Sequence, residues 1–463
     1  MPQNALSYIC LPLYKVTNLQ VKCQGMKQIL LLVLFLSGVN SRVNAQTKTD
    51  TIRLPSLTET ISKALRTNAS QAVYSAQQQQ AGFDYKAAKG AFYPHAQGEF
   101  LGTDNLHLAV TPVPGELAGR PGTTYYVQFG KRYIYTPGLT LSQNIFDWQS
   151  VLQVQIAKGN MQLSKLQQDS FEQSLKAQVA QLYFAALIAQ ASLRISGSDE
   201  LLADSLVTLA QQRLAEGTTD ALSVNNALIN RNNIAQNKTQ SQQLYDQSIA
   251  NLKNLLGEKP GSQLLLLEKI NPDTFLETGL PALGNDKSLL IYQQQVNIAA
   301  LQSKLQKAVA YPRLSATLYL GEQQFRNDFG LSFGKRAWSA YRYIGVDLTV
   351  PVFTGFSNSN RYKSTLAQQR VAQLQYESAR LQSETADSLL LTNYAHNATL
   401  VKTALLNFRL YGSNLQLNKQ KFGEGVISMD VYLKAFQDYL AAENNYLNNL
   451  SQLLQAKATI LSR

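Results

Sequence analysis

Strict alternation of apolar and polar residues marks two short segments in the second half of the chain. In residues 314–320, leucine and alanine alternate with serine, threonine and tyrosine. In residues 344–350, Asp347 and Thr349 belong to the polar face. The apolar face carries Ile344, Val346, Leu348 and Val350. This period of two is typical of a strand between lipid and water, and also of an ordinary half-buried strand. We expect the apolar set to face lipid, and Asp347 and Thr349 to face a water-filled lumen.

Extended segments also occur in the first half of the chain, at residues 96–103 and 133–146. The chain thus provides four strands of about ten residues, a length that spans an outer membrane. Four strands cannot close a membrane barrel, whose minimum is about eight, and an open edge in lipid leaves backbone groups unpaired. If these strands span a membrane, the chain must form an oligomer. A dimer would give about eight strands and a trimer about twelve, with room for a pore.

Long helices are predicted after each pair of strands. Residues 148–214 form the first, which at about 1.5 Å per residue extends on the order of 100 Å. A return helix over 220–256 follows a short interruption. The second half repeats the pattern with helices over 356–422 and 428–462. Helices of this length are typical of coiled coils and helical tubes.

Shorter helices precede the strands in both halves, over residues 57–92 and 286–310. Each ends at a tyrosine-proline pair, Tyr93-Pro94 and Tyr311-Pro312, because the residue before proline avoids the helical region. Residues 104–130 contain three prolines and four glycines, a composition that predicts a loop.

These features repeat once along the chain. Phe146 and Phe353, in the short apolar segments that precede the two long helices, are 207 residues apart, and Gly217 and Gly425, in the two interruptions, are 208 apart. A period near 200 is too long for a solenoid of small repeats. We therefore predict one body with two structural repeats. They cover about residues 54–256 and 286–462, joined by a linker over 257–285.

The N-terminus has the features of a leader segment over residues 1–45. A basic start at Lys27, a short apolar run and small residues before Gln46 predict a signal peptide over 26–45. A membrane anchor is the alternative interpretation. Cys10 and Cys23 both precede the predicted cleavage site, so disulfides and thiol chemistry are not expected in the mature chain.

Charge and chemistry narrow the function further. Removal of the leader lowers the net charge from +12 to +8, a mild balance that favours an anionic lipid surface over nucleic acid. The three histidines, at positions 95, 107 and 396, are scattered, and no metal-ligand spacing or nucleophile-base set occurs. We expect a protein that is not an enzyme and uses no cofactor.

An identical tetrapeptide, Phe-Gly-Lys-Arg, occurs at residues 129–132 and 333–336. Both copies precede the second strand of their half. They would form a basic collar that meets lipid phosphates, or they retain turn chemistry from the duplication.

In its order of duplicated strands, long helices and glycine turns, the chain resembles the TolC family of outer-membrane efflux ducts over about residues 54–462. The segment LTVPVFTGF before the second long helix contributes to this resemblance. The family implies a homotrimer with a twelve-stranded transmembrane β-barrel in the bacterial outer membrane and a helical α-barrel in the periplasm. The expected fold is accordingly mainly α with a small β part, in which four strands per chain join long antiparallel helical hairpins.

The resemblance also implies roles for the two turns. A periplasmic adaptor protein, itself bound to an inner-membrane transporter, would dock on the tips at Glu216-Gly217 and Glu424-Gly425. Family members often carry acidic residues after the second glycine that constrict the periplasmic end. Here Asp430 is present, but Lys434 stands one helical turn later. We expect Asp430 to pair with Lys434 at i,i+4, so a double acidic ring is not expected.

The sequence therefore predicts the outer-membrane exit duct of a tripartite exporter, which conducts substrates passively from the periplasmic pump assembly to the exterior. Two alternatives remain at this point, a duct for type I protein secretion and a soluble periplasmic coiled-coil scaffold without a pore.

Overall fold

The computed structural model describes residues 51–270 and 282–463. The predicted leader over 1–45, including the signal peptide, lies outside the described residues, as does part of the predicted linker.

Within the described residues, the first half of the chain forms six strands and four α-helices. In chain order they are β1 Thr51–Leu54, α1 Leu57–Thr67, α2 Ala69–Lys89, β2 His95–Asp104, β3 Val110–Pro114, β4 Thr124–Gln128, β5 Tyr133–Phe146, α3 Trp148–Ala215, α4 Ala221–Leu255 and β6 Gln263–Leu266. The second half forms two strands and three helices. They are α5 Lys287–Ala308, β7 Arg313–Arg326, β8 Ser339–Thr349, α6 Ser357–Gly423 and α7 Met429–Ile460.

Two long hairpins, α3–α4 and α6–α7, form most of the helical body. The side chain of Asp147 caps α3 by accepting a hydrogen bond from the Gln149 N–H at 3.0 Å, which satisfies a backbone donor that the first turn leaves free. The α3–α4 hairpin packs on α6–α7 through a core to which all four helices contribute. Its fully buried leucines include Leu187, Leu252 and Leu450. Each such side chain stabilises the fold by about 1.5–3 kcal/mol relative to an exposed one.

Helix α3 is also the only stretch within the described residues that is long and apolar enough to cross a membrane. Of its apolar 18-residue segment, 56% is buried within the protein, so packing against the neighbouring helices accounts for much of its apolar character.

The four long strands form one antiparallel sheet in the order β2-β5-β7-β8. Within it, β5 and β7 join the two halves of the chain, for example through the pair Leu141 and Leu318. The other edges, on β2 and β8, have no partner strand among the described residues. The sheet is therefore open on both sides.

Contacts near the middle of the long helices connect β1, β6 and the C-terminal residue to the helical body. Strand β1 pairs in parallel with β6, and the Tyr183 hydroxyl of α3 donates to Glu268 at 2.6 Å. Arg463 forms ion pairs with Asp286 and with Asp387, the latter at 2.8 Å. The described parts of the predicted linker thus lie against the helical body.

Three predicted features differ in the structure. The helix predicted over 57–92 is broken at Asn68, whose side chain caps α2 at Ser70 and donates to the Leu255 carbonyl at 2.9 Å. The predicted loop over 104–130 contains the hairpin β3–β4, in which Pro112 and Pro114 are themselves part of β3 and pair with residues of β4. Finally, β8 ends at Thr349, before Pro351, so Val350 lies outside the strand.

Candidate functional site

The two helical turns at the far end of the hairpins have the same backbone geometry. Gly217 and Gly425 have φ angles of 72° and 73°, a region that glycine adopts without the penalty of a side chain. The Thr218 N–H donates to the Arg213 carbonyl at 2.9 Å, and the Val426 N–H donates to the Lys421 carbonyl at 2.9 Å. These bonds define a Schellman motif at the end of each long helix.

Both glycines and the glutamates before them, Glu216 and Glu424, lie exposed at these turns. A Cβ added at Gly217 or Gly425 would meet no atom within 4 Å. The surface around each turn is therefore open to a partner, although the positive φ angle disfavours other residues.

The two tips are joined by a buried hydroxyl group. Ser223, in the first turn of α4, is fully buried, and its Oγ donates to Asp430 in the first turn of α7 at 2.6 Å. The Ser223 N–H donates at 2.9 Å to Asp220, which caps α4. Because the hydrogen bond from the Ser223 N–H favours the charged carboxylate, it lowers the pKa of Asp220. The contact between Ser223 and Asp430 fixes the position of one tip against the other.

The structure corrects the predicted partner of Lys434. Its Nζ donates to Asp438, one turn further along α7, instead of pairing with Asp430. Both carboxylates stand four residues from the lysine, and Asp430 is held by Ser223. Asp430 and Lys434 nevertheless both remain exposed near the tip.

Apolar contacts reinforce the junction between the tips. The rings of Phe422 and Tyr432 stack with centroids 5.4 Å apart, and the Arg213 guanidinium lies 5.7 Å from the Phe422 ring. A cavity of about 160 Å³ lies between the turns and is lined by residues of both. Beside it, Leu222 and Val426 are exposed apolar side chains. The tip region thus combines a groove with exposed apolar groups.

On the sheet, the two faces of β8 differ as the alternation predicts. Ile344 is 80% exposed and Val346 67% exposed, and Leu348 and Val350 are exposed as well. Asp347, on the other face, accepts a hydrogen bond from Thr349 at 2.8 Å and stands opposite Ser315 of β7. From Ile344 to Leu348 one face of β8 is apolar and the other is polar, and Leu314, Ala316 and Leu318 of β7 continue the apolar face.

The two Phe-Gly-Lys-Arg segments lie in the connections before β5 and β8, as expected. Arg132 is held by Asp104 through a hydrogen bond of 2.9 Å. Phe129 and Phe333 are exposed. Lys335 and Arg336 lie in a single 3-10 turn.

A buried pair of carboxyl groups, which no sequence pattern indicated, lies between α3 and α7. Asp199 and Glu443 are about one-twentieth exposed and share a hydrogen bond, in which protonated Glu443 is the donor. Burial and then the charge of Asp199 raise the pKa of Glu443, and burial raises the pKa of Asp199. Tyr439 also bonds to Glu443. A pair of this kind depends on the register of two distant helices, which no local pattern specifies.

Comparison with solved structures gives the same fold. CusC has 18% sequence identity and a TM-score of 0.71 over 88% of this chain and 91% of that chain. The Campylobacter jejuni outer membrane channel CmeC has 16% identity and a TM-score of 0.69, covering 88% and 84%. The open state of the Neisseria gonorrhoeae outer membrane channel MtrE has 18% identity and a TM-score of 0.70, covering 88% of both chains. The predicted fold, mainly helical with a small β part, is confirmed.

At the sequence level, no curated protein matches the chain. A family model described as "Outer membrane efflux protein" matches residues 60–258 and 281–462. These two segments make up most of the chain and include the tips, the four long strands and both helical hairpins. The predicted location in the outer membrane and the predicted role in efflux are confirmed. The chain belongs to the outer membrane efflux protein family.

Proposed function

We propose that three copies of this chain form one channel, the exit duct of a tripartite exporter. Its twelve strands would close a β-barrel in the outer membrane, and its helices would form a tunnel in the periplasm. The observation that carries the proposal is the open four-stranded sheet, whose outer edges have no partner strand among the described residues. In lipid those edges must be paired.

The lengths and faces of the strands support closure between copies. Strand β2 has ten residues and β8 has eleven, about the length that a tilted strand needs to span a membrane. The β2 edge of one copy would pair with the β8 edge of the next. Ile344, Val346 and Leu348 would then face lipid, while Asp347 and Thr349 would face the lumen.

The helices also expose apolar side chains that a neighbouring copy would cover. On α6, exposed leucines recur every seven or eight residues, at Leu366, Leu374, Leu381 and Leu389. On α4, away from the tip, Ile229 and Leu244 are exposed. Two different apolar surfaces on one chain fit a head-to-tail ring, in which the surface of one copy meets the other surface of its neighbour.

At the periplasmic end, we assign the docking of an adaptor protein to the turns at Glu216-Gly217 and Glu424-Gly425. The open surface at both glycines and the apolar side chains of Leu222 and Val426 support this assignment. In a trimer, three copies of Asp430 and Lys434 near the tips would form a mixed-charge constriction.

Conduction through such a duct is passive. The channel supplies a water-filled path, the inner-membrane transporter supplies the energy, and no covalent step is assigned to any residue.

Extraction from membranes and recording in planar bilayers test the proposal. The protein should purify in detergent as a stable trimer and conduct ions. Asp430→Asn should leave the trimer intact and weaken the preference for cations, because it removes one negative charge per copy. A monomer that stays soluble without detergent, or a trimer without conductance, would refute the duct.

A further inference from the structure

Three tyrosines form a cluster on the polar face of the four-stranded sheet. Tyr319 of β7 stacks on Tyr343 of β8 with ring centroids 5.4 Å apart, and Tyr341 lies 5.5 Å from Tyr319. Tyr341 and Tyr343 are inclined by 54° to each other at 5.6 Å. Because side chains alternate along a strand, Tyr341 and Tyr343 share the face of Asp347 and not that of Ile344.

Two glycines allow Tyr319 to lie flat against the sheet. Gly138 of β5 pairs with Gly321 of β7, and a Cβ at either position would overlap the Tyr319 ring. Tyr319 is consequently only 4% exposed, whereas Tyr341 is 43% and Tyr343 44% exposed. The buried ring supports the other two, so the cluster presents an open aromatic corner on the polar face.

A carboxylate stands in the same row of the sheet. Glu99 of β2 pairs with Gly138, Gly138 with Gly321, and Gly321 with Tyr341. Glu99 accepts a hydrogen bond from Thr140 at 3.1 Å. The Tyr319 hydroxyl is buried and has no hydrogen-bond partner within the described residues. The Tyr319 hydroxyl group reaches over Gly138, the neighbour of Glu99 in the sheet, so Tyr319 lies between this carboxylate and the two exposed tyrosines on the same face.

We infer that Tyr319, Tyr341, Tyr343 and Glu99 form a weak binding site for organic cations of the quaternary ammonium class. The face of an aromatic ring is electronegative and attracts weakly hydrated cations, and a carboxylate on the same face of the sheet adds a longer-range attraction. Small inorganic cations bind less well, since they lose more hydration energy. The inference rests on the proposed trimer, in which three such sites would line the lumen of the barrel near the middle of β8.

Ligand-observed saturation-transfer NMR on the detergent-solubilised trimer tests the site, with tetrapropylammonium as the probe and empty micelles as the blank. Tyr341→Leu combined with Tyr343→Leu removes both exposed rings and keeps apolar bulk. We expect this variant to bind the probe at least about fivefold more weakly, given the usual strength of a cation on two ring faces. The corresponding double Phe variant keeps the ring faces and should bind nearly as well as the wild type.

Two further variants distinguish loss of binding at this site from general effects of substitution on the protein. Tyr126→Leu, on the exposed hairpin β3–β4, should leave binding unchanged. Glu99→Gln should weaken it without disturbing the tyrosines, which keeps the test usable if the double Leu variant does not assemble.

Equal binding by the wild type and the double Leu variant would overturn the site, and so would equal saturation transfer to sucrose, an uncharged solute. Oligomeric state is measured separately by native mass spectrometry. A monomer would refute the proposed trimer, whereas a conducting trimer that does not bind the probe would refute only this site.

Discussion

At the scale of single residues, the buried pair of Asp199 and Glu443 makes stability depend on pH. Since the pKa of Glu443 is raised, the folded chain binds more protons than the unfolded chain above the ordinary value of 4.5. The stabilisation is therefore fully present below that value and is lost as the pH rises through the raised pKa. We expect the unfolding temperature of the purified protein to fall steadily from mildly acidic to alkaline pH.

Glu443→Gln removes this dependence, because an amide stays neutral and still donates to Asp199. At alkaline pH the variant should be more stable than the wild type by on the order of 1 kcal/mol or more. Thermal unfolding followed by circular dichroism across the pH range measures the effect. Glu384→Gln, on the exposed side of α6, is the matched control and should follow the wild type. If the Glu443→Gln variant gave a curve parallel to that of the wild type, the pair would not titrate in this way.

Single residues also show where prediction from the local sequence fails. Lys434 has a carboxylate four residues before it and another four residues after it, and the i,i+4 rule cannot choose between them. The choice is made by Ser223, 207 residues from Asp430 in the sequence, which takes Asp430 as its partner. Contacts that depend on the register between distant helices are therefore not predictable from a single sequence.

At the scale of elements, prediction was accurate for the long strand β5 and for the longest helices. The structure places β5 at Tyr133–Phe146 and α3 at Trp148–Ala215, within a residue of the predicted bounds. Over many helical turns, the apolar periodicity does not depend on any single residue. Glycines and prolines mark the ends of the elements. The break at Asn68 was missed because its cause is a bond to the Leu255 carbonyl, far along the chain.

The glycine turns provide the test at this scale. Gly425→Ala should cost about 1 kcal/mol or more, because φ is positive there, and the long hairpin should survive it with export intact. Gly217→Trp or Gly425→Trp should abolish export while trimer level and single-channel conductance stay normal, because the indole covers the proposed docking surface. Export assays in cells with a working pump, together with bilayer recordings, measure the two effects.

Gly261→Trp is the control for adding a large side chain at an exposed glycine. A Cβ at Gly261 also meets no atom within 4 Å, and this residue follows the end of α4 that is distant from the tip. This variant should export normally. Normal export by both tip variants would remove the docking assignment. Loss of the trimer would instead assign the glycines to the turn alone.

At the scale of the whole molecule, the assignment of one face of β8 to lipid and the other to the lumen requires the barrel to close. Substitutions at two neighbouring positions of β8 test this closure. Val346→Arg places a charge on the apolar face, where it costs about 2–4 kcal/mol near the middle of the membrane. Asp347→Arg introduces the same side chain one residue later on the polar face. We expect the first change to reduce assembled trimer sharply, and the second to leave it assembled with altered conductance.

Heat-modifiable mobility of outer-membrane fractions on gels reports the trimer, and bilayer recordings report the conductance. The comparison holds strand position and the introduced side chain nearly constant, and the polar-face variant makes the larger change of charge, so poorer assembly of the Val346→Arg variant is attributable to the face. In a single copy both positions are exposed, and an isolated sheet in water would accept either arginine equally. Only closure of three sheets in lipid makes the two substitutions unequal, and equal assembly of both variants would therefore argue against the barrel itself.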